Sequence, residues 1–223
     1  EILRCLVGSE MCIRDRYEAY AAMTIDRDPM LQEHLRKVAE EDFAFATEKF
    51  EREGFDLFKQ MYEHSYNTSE SQYMATISWS ASMLYKLTGK AYYAEKAAET
   101  IRYVLACQRT KPLQDPEKTC GFFYRDQSGK SIVHYIHQSR EQVYMQAMTL
   151  LCETQKQHPD YQKWVNSIQL YGNYLKGLMK YTRPYGMIPS GVYHAEEYSD
   201  SASFYALHPV SYTHLRAHET SQD

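Results

Sequence analysis

The densest chemistry in the chain lies in His134-Tyr135-Ile136-His137-Gln138-Ser139-Arg140-Glu141. If a helix opens near His137, then His137 and Glu141 share a face at four-residue spacing. Arg140 lies one step aside, and His134 sits on the loop just before. Such donors and acceptors suit the hydroxyls of a polar ring-shaped ligand. Tyr135, or Tyr124 further back, would supply an aromatic face to it. Two other readings stay open. His134, His137 and Glu141 are metal-ligating types, but a zinc site of this sort needs clean helical spacing or a third, distant His. Equally, Ser139 can cap the helix, His137 and Glu141 can pair along it, and the other His can sit on the surface. Ligand contact by Tyr124, His134, Tyr135, His137 and Arg140 is the expectation taken forward, with no metal and no cofactor assigned.

Paired carboxylates are the other chemistry to look for, since an inverting glycosidase places an acid and a base about 6.5–9.5 Å apart. The loop acids Asp115, Glu117, Asp126, Glu196, Glu197 and Asp200 stand in no informative motif. Asp126 has the best position, directly after the hydrophobic piece Gly121 to Tyr124, although a solvated turn is the ordinary role of such an Asp. There is no glycine-rich phosphate loop, no Gly-x-Ser-x-Gly elbow and no catalytic Cys/His spacing. Cys107, Cys120 and Cys152 make no close pair and no zinc motif. Most of the 21 Tyr are core or loop-packing residues by default. Trp79 and Trp164 fall mid-helix and are expected in the core.

Helical periodicity and stop signals predict helices near 30–52, 69–88, 91–108, 138–156 and 160–181. Ser69 before Glu70 reads as a helix start, Thr88-Gly89 as a stop, and Pro159 suits the start of the last helix. The second and third helices are joined by a few residues and must form an antiparallel hairpin. The fourth and fifth do the same. Tyr93 and Tyr161 hold matching places after the two turns, and a Gly-led hydrophobic piece follows each hairpin: Gly121 to Tyr124, and Gly186 to Tyr193. A repeat of helix, turn, helix and long loop predicts an all-α fold of stacked antiparallel hairpins. Loops of about 25 residues favour part of an (α/α)6 toroid over a solenoid of short, uniform connections. The loops 109–135 and 182–200 are then expected at one end, where function is usually carried.

The formal net charge is −4 and no basic tract occurs, so nothing favours nucleic acid or anionic membrane as a partner. No apolar run reaches the roughly 18 residues of a membrane span. Residues 1–16 and 210–223 resemble translated sequencing-adapter readthrough: CLVGSEMCIRDR and VSYTHLRAHET recur at the ends of unrelated sequences. Cys5, Cys12, His214 and His218 are therefore set aside, and 17–209 is read as an internal fragment of a longer domain. A fragment should leave apolar residues bare on its outermost helices, on the first and around Ile168, Leu175 and Leu178.

The run from Ser69 through Ala97, with Gly121-Phe-Phe-Tyr-Arg-Asp126, His134 to Glu141, and Tyr181 to Tyr193, resembles the six-hairpin glycosidases. Across Tyr17 to Tyr193 the chain is similar to glycoside hydrolase family 9, the cellulase-like bacterial group. The resemblance implies an (α/α)6 toroid, a carbohydrate substrate, and hydrolysis of β-linked glucan-like chains with inversion. It also implies an exported parent protein. In that family an early Asp-Ala-Gly-Asp motif supplies the base and a late Glu the acid. Neither is found in this chain, so no catalytic residue carries over, and the fragment is expected to be inactive alone. A sugar epimerase or polysaccharide lyase of the same ring shape would instead use His134, Tyr135 and His137. A helical-repeat binding module is the non-enzymatic alternative.

Overall fold

A computed structural model describes residues 20–21, 23–24, 28–55, 69–114, 118–130, 132–133, 142–186 and 188. The first long helix, α1 (Pro29–Glu53), opens where Asp28 accepts the Leu31 N–H at 3.0 Å and Pro29 fixes the first turn. Ser69 caps α2 (Glu70–Thr88), accepting the Gln72 N–H at 3.3 Å. Gly89 ends α2 in the left-handed region, at φ 69°. Gly89 and Lys90 alone then turn the chain into α3 (Ala91–Ala106). After the long connection come α4 (Val143–Thr154), α5 (Tyr161–Leu178) and a 3-10 turn, Met179–Thr182. These spans match the expected helices closely, except that the fourth opens at Val143, after Gln142 in a turn, rather than near 138. The third stops two residues early because Gln108 leaves it to bridge Phe123. The segment 138–141 lies outside the described residues.

Side-chain contacts fix the directions of the helices. Between α1 and α3, Glu40 meets Lys90 at 2.5 Å, Phe43 meets Tyr93, and Glu51 meets Lys96 at 2.9 Å. The partners advance together, so these helices run parallel. The same holds for α3 and α5, where Arg102 faces Asp160 at 3.6 Å and Gln108 bonds Ser167. It also holds for α2 and α4. Ser71 and Tyr144 share a 2.7 Å hydrogen bond near both starts, and Lys86 meets Glu153 at 2.6 Å near both ends. α2 packs extensively on α3 across a two-residue turn, so it is antiparallel to it. The fold is therefore all-α. α1, α3 and α5 run one way, and α2 and α4 run the other. Among the described residues extended chain occurs only as isolated bridges, Gln108 with Phe123 and Tyr124 with Ile132.

α2 is buried on nearly every side, from Ser71 to Leu84, as a helix packed all round must be. Its small Ser and Ala residues let α3 and α4 approach closely. Ser78 and Ser82 satisfy their buried hydroxyls on the carbonyls of Ala97 and Ser78, at 2.9 and 2.8 Å. Trp164 is fully buried and stacked on His158. The outer helices are less bare than expected. α1 does expose Met30, Leu31 and Phe45, but on α5 Leu178 is only 2% exposed, and Ile168 and Leu175 are partly buried against the core. The reason is the strip 118–124, which covers that face of α5: Phe122 meets Tyr174, and Phe123 meets Tyr171. No described helix is long and apolar enough to cross a membrane.

Candidate functional site

The connection from α3 to α4 runs over one end of the helices, where α2 and α4 start and α3 and α5 stop. Its centre is Gly121 to Tyr124. The Arg109 N–H donates to the Phe122 carbonyl, and the Tyr124 N–H to the Cys107 carbonyl, both at 2.9 Å. The Val133 N–H donates to the Phe123 carbonyl at 2.8 Å. Two buried polar side chains tie this strip to the helices. Ser71 donates from its N–H to the Arg125 carbonyl at 2.9 Å, and its Oγ lies 2.8 Å from the Tyr124 carbonyl. Gln108 donates from Nε2 to the Gly121 and Ser167 carbonyls, at 3.0 and 3.1 Å, and accepts from Ser167 Oγ at 2.6 Å. α5 ends at the same place, so the chain after Leu178 leaves from the end that carries the α3–α4 connection.

Of the residues expected at the site, Tyr124 alone is described; His134, Tyr135, His137 and Arg140 lie outside the described residues. Tyr124 is 8% exposed. Its ring meets Phe122 edge-on at 5.3 Å and lies over Gly129. It braces the connection and shows little ring face to solvent. Asp126 accepts the Ser128 N–H at 2.7 Å, closing a tight turn. Sequence reading did not single out Ser71 or Gln108. Their partners lie up to 73 residues away in the chain, and no local spacing signals them.

Three weakly acidic groups along α3 and at its end stay protonated. Burial, then the charges of Asp126 and Glu70, pushes the Cys107 thiol up to about 12. A thiol so held is no nucleophile at neutral pH. Burial, and then the neighbouring Glu40, pushes Tyr93 up to about 12. Burial, with a hydrogen bond to Glu70, raises Tyr103. A raised folded-state pKa leaves stability intact below the unfolded value, about 8.5 for Cys and 10 for Tyr. That stability is lost as pH climbs through the folded value. The melting temperature should therefore fall progressively between about pH 9 and 12 as these groups are forced to ionise. Circular dichroism melts across that range check it, and a melting temperature that stays level up to about pH 11 would contradict it.

Two cavities are lined by described residues. One, of about 160 Å³, lies between Lys118, Cys120, Asn173, Tyr174 and Lys180. The other, of about 340 Å³, lies between α1, α2 and α3, against Phe50, Met74, Ile77 and Tyr103. Lys96 enters the second but is already paired with Glu51 and Glu99. Among the described residues no group of three or more His, Cys, Asp or Glu side chains is placed to hold a metal ion. No family model, no curated protein and no solved structure matches the chain.

Proposed function

We propose that the chain is part of a glycoside hydrolase acting on polysaccharide or oligosaccharide chains, built as a ring of helical hairpins. The observation that supports this reading best is the alternation of helix directions, with the long connections leaving from one end. Repeated, that alternation generates two concentric layers of helices with every long loop on one rim, the layout that the resemblance to family 9 implies. A rim of long loops over packed helices suits an extended, polyhydroxylated substrate. Such a ligand needs many donors and acceptors on a rigid frame.

In this reading the chain contributes frame and substrate contacts. The acid that protonates the leaving oxygen and the base that activates water belong to other parts of the parent protein, since the chain contains no Asp-Ala-Gly-Asp motif. The test is to incubate the purified chain, and separately the complete protein, with carboxymethyl cellulose and measure reducing ends. Proton NMR then follows the anomer first released. The complete protein should release sugar with inversion, and the chain alone should release none. Reducing ends from the chain alone would place the carboxylates within it. A complete protein inert on cellulose, xylan and pectin alike would overturn the reading.

A further inference from the structure

The strip 118–121 lies against the last turns of α5. A Cβ at Gly121 would press on the Leu170 carbonyl oxygen, and beside it the strip and the helix enclose the cavity of about 160 Å³. Backbone bonds brace the wall that the strip forms. The Gly121 N–H donates to the Arg109 carbonyl at 2.7 Å, and the Leu113 N–H to the Thr119 carbonyl at 2.9 Å. The α5 wall is bare at Gly177, where an added Cβ would meet nothing within 4 Å. Glycine is a poor helix former, and at this position it leaves the cavity unfilled.

The lining is one-sided in charge. Lys118 and Lys180 border the cavity and no Asp or Glu does, in a chain whose net charge is −4. Lys180 lies in the 3-10 turn after α5, where a cation offsets the negative end of the helix. Lys118 has no such duty. It is exposed and makes no ion pair among the described residues. Its φ is 51°, and among the described residues it is the one non-glycine held at positive φ. That conformation is costly for a residue with a side chain and is met most often where function requires it.

Two further groups suit a sugar. Asn173, exposed on the α5 wall, offers an amide with both donor and acceptor atoms. Beyond Lys180 the chain turns back, so that a Cβ built on Gly186 would lie 3.6 Å from Met179 Cε. This return keeps Tyr185 at the same end of α5, and Tyr185 is 80% exposed. A phenol ring so placed offers a flat apolar face to the C–H side of a pyranose.

We propose that this cavity takes the carboxylate of a uronic acid unit in an acidic oligosaccharide, with the Lys118 ammonium as its counter-charge. The proposal rests on the carbohydrate reading above and narrows it to acidic chains. A carboxylate is the sugar substituent that a single ammonium and an uncommitted amide bind best, through charge-assisted hydrogen bonds. Asn173 donates to the carboxylate or to the hydroxyl beside it, and Tyr185 carries the next ring.

The experiment titrates the full chain by calorimetry with tetragalacturonate, cellotetraose and inorganic phosphate. Saturable binding of tetragalacturonate is expected, weakened about threefold or more as NaCl rises from about 50 to about 300 mM. Lys118→Gly removes the ammonium and suits the positive φ, so the variant should unfold no earlier in urea yet bind about tenfold more weakly. Gly177→Leu, which has room for its side chain, should block the cavity and weaken binding by a similar factor. Lys176→Gln is the control: Lys176 lies on α5 outside the lining, and binding should stay within about twofold. An equal loss in Lys176→Gln and Lys118→Gly would mean diffuse attraction and overturn the proposal. Phosphate displacing tetragalacturonate at equal concentration would show an anion site indifferent to sugar and would overturn the uronate assignment. Cellotetraose binding as tightly as tetragalacturonate, unmoved by Lys118→Gly, would remove this cavity and leave the carbohydrate reading standing. Binding of neither sugar would also remove it, while hydrolysis by the complete protein decides that reading separately.

Discussion

Replacing Phe123 with Ala is expected to destabilise the protein by about 3–5 kcal/mol, more than any other single truncation in the connection between α3 and α4. Phe123 is fully buried. Its ring stacks on Tyr144 of α4 at 4.2 Å and 19° and meets Tyr171 of α5 at 5.5 Å. Its carbonyl accepts the Val133 N–H, and the residue bridges Gln108. The ring is thus a wedge between two helices that touch each other only modestly. Truncation leaves a cavity walled by two large, rigid rings that cannot collapse into it, so the loss falls at the upper end for its class. The Ser71–Tyr144 bond depends on the same placement of Tyr144. Hydrogen exchange should therefore quicken at Ser71 and Val133 before it does in the α2–α3 hairpin. Urea unfolding gives the free energy. A loss under about 1 kcal/mol would show that the site collapses and that Phe123 is no wedge. Phe123→Leu should restore more than half of the stability.

The helix spans were legible because their signals are local. Asp28-Pro29, Ser69 and Gly89 set starts and stops within one turn of chain, and in each case the cap forms with the atoms that those residue types offer. The hairpins were legible because a turn of two residues between α2 and α3, or of six between α4 and α5, leaves little other packing. What did not show was which way a helix faces when it is buried all round. α2 has little amphipathic pattern to read: its Ser residues look like a solvated face but are buried on carbonyls of α2 and α3. Trp79 read as core and does pack against it, though only partly buried. Leu178 read as bare, yet it is buried, with the stretch 118–120 beside it. Tyr124 illustrates the same limit at the site. An aromatic beside a loop suits a ligand, but its carbonyl belongs to Ser71, 53 residues earlier, and its ring to Phe122. Such pairings are set by the tertiary fold and leave no mark on spacing.

Gly121→Ala should be nearly as damaging as the loss of the Phe123 ring, although it adds one carbon. Gly121 has φ 103°, a region that side-chain-bearing residues rarely adopt. A Cβ built there would lie 2.5 Å from the Leu170 carbonyl oxygen and 3.0 Å from Tyr174 Cβ. The oxygen belongs to the backbone of α5, so no side chain can swing aside to make room. The strip cannot retreat either. The Gly121 N–H donates to the Arg109 carbonyl at 2.7 Å, and the Gly121 carbonyl accepts from Gln108 Nε2 at 3.0 Å. Moving it would break one of these bonds or the Gln108–Ser167 pair, each leaving a buried polar group unpaired. Backbone strain of about 1–3 kcal/mol and roughly 1–2 kcal/mol for the disturbed bond set the expectation at about 2–5 kcal/mol. Gly89→Ala is the control. Its φ of 69° is also positive, but nothing lies within 4 Å of its added carbon, so conformation alone costs about 1 kcal/mol there. Urea unfolding of the two variants side by side separates steric from conformational cost. A Gly121→Ala midpoint no lower than that of Gly89→Ala would mean that α5 does not press on this strip, and the close approach of α5 to the connection would have to be given up.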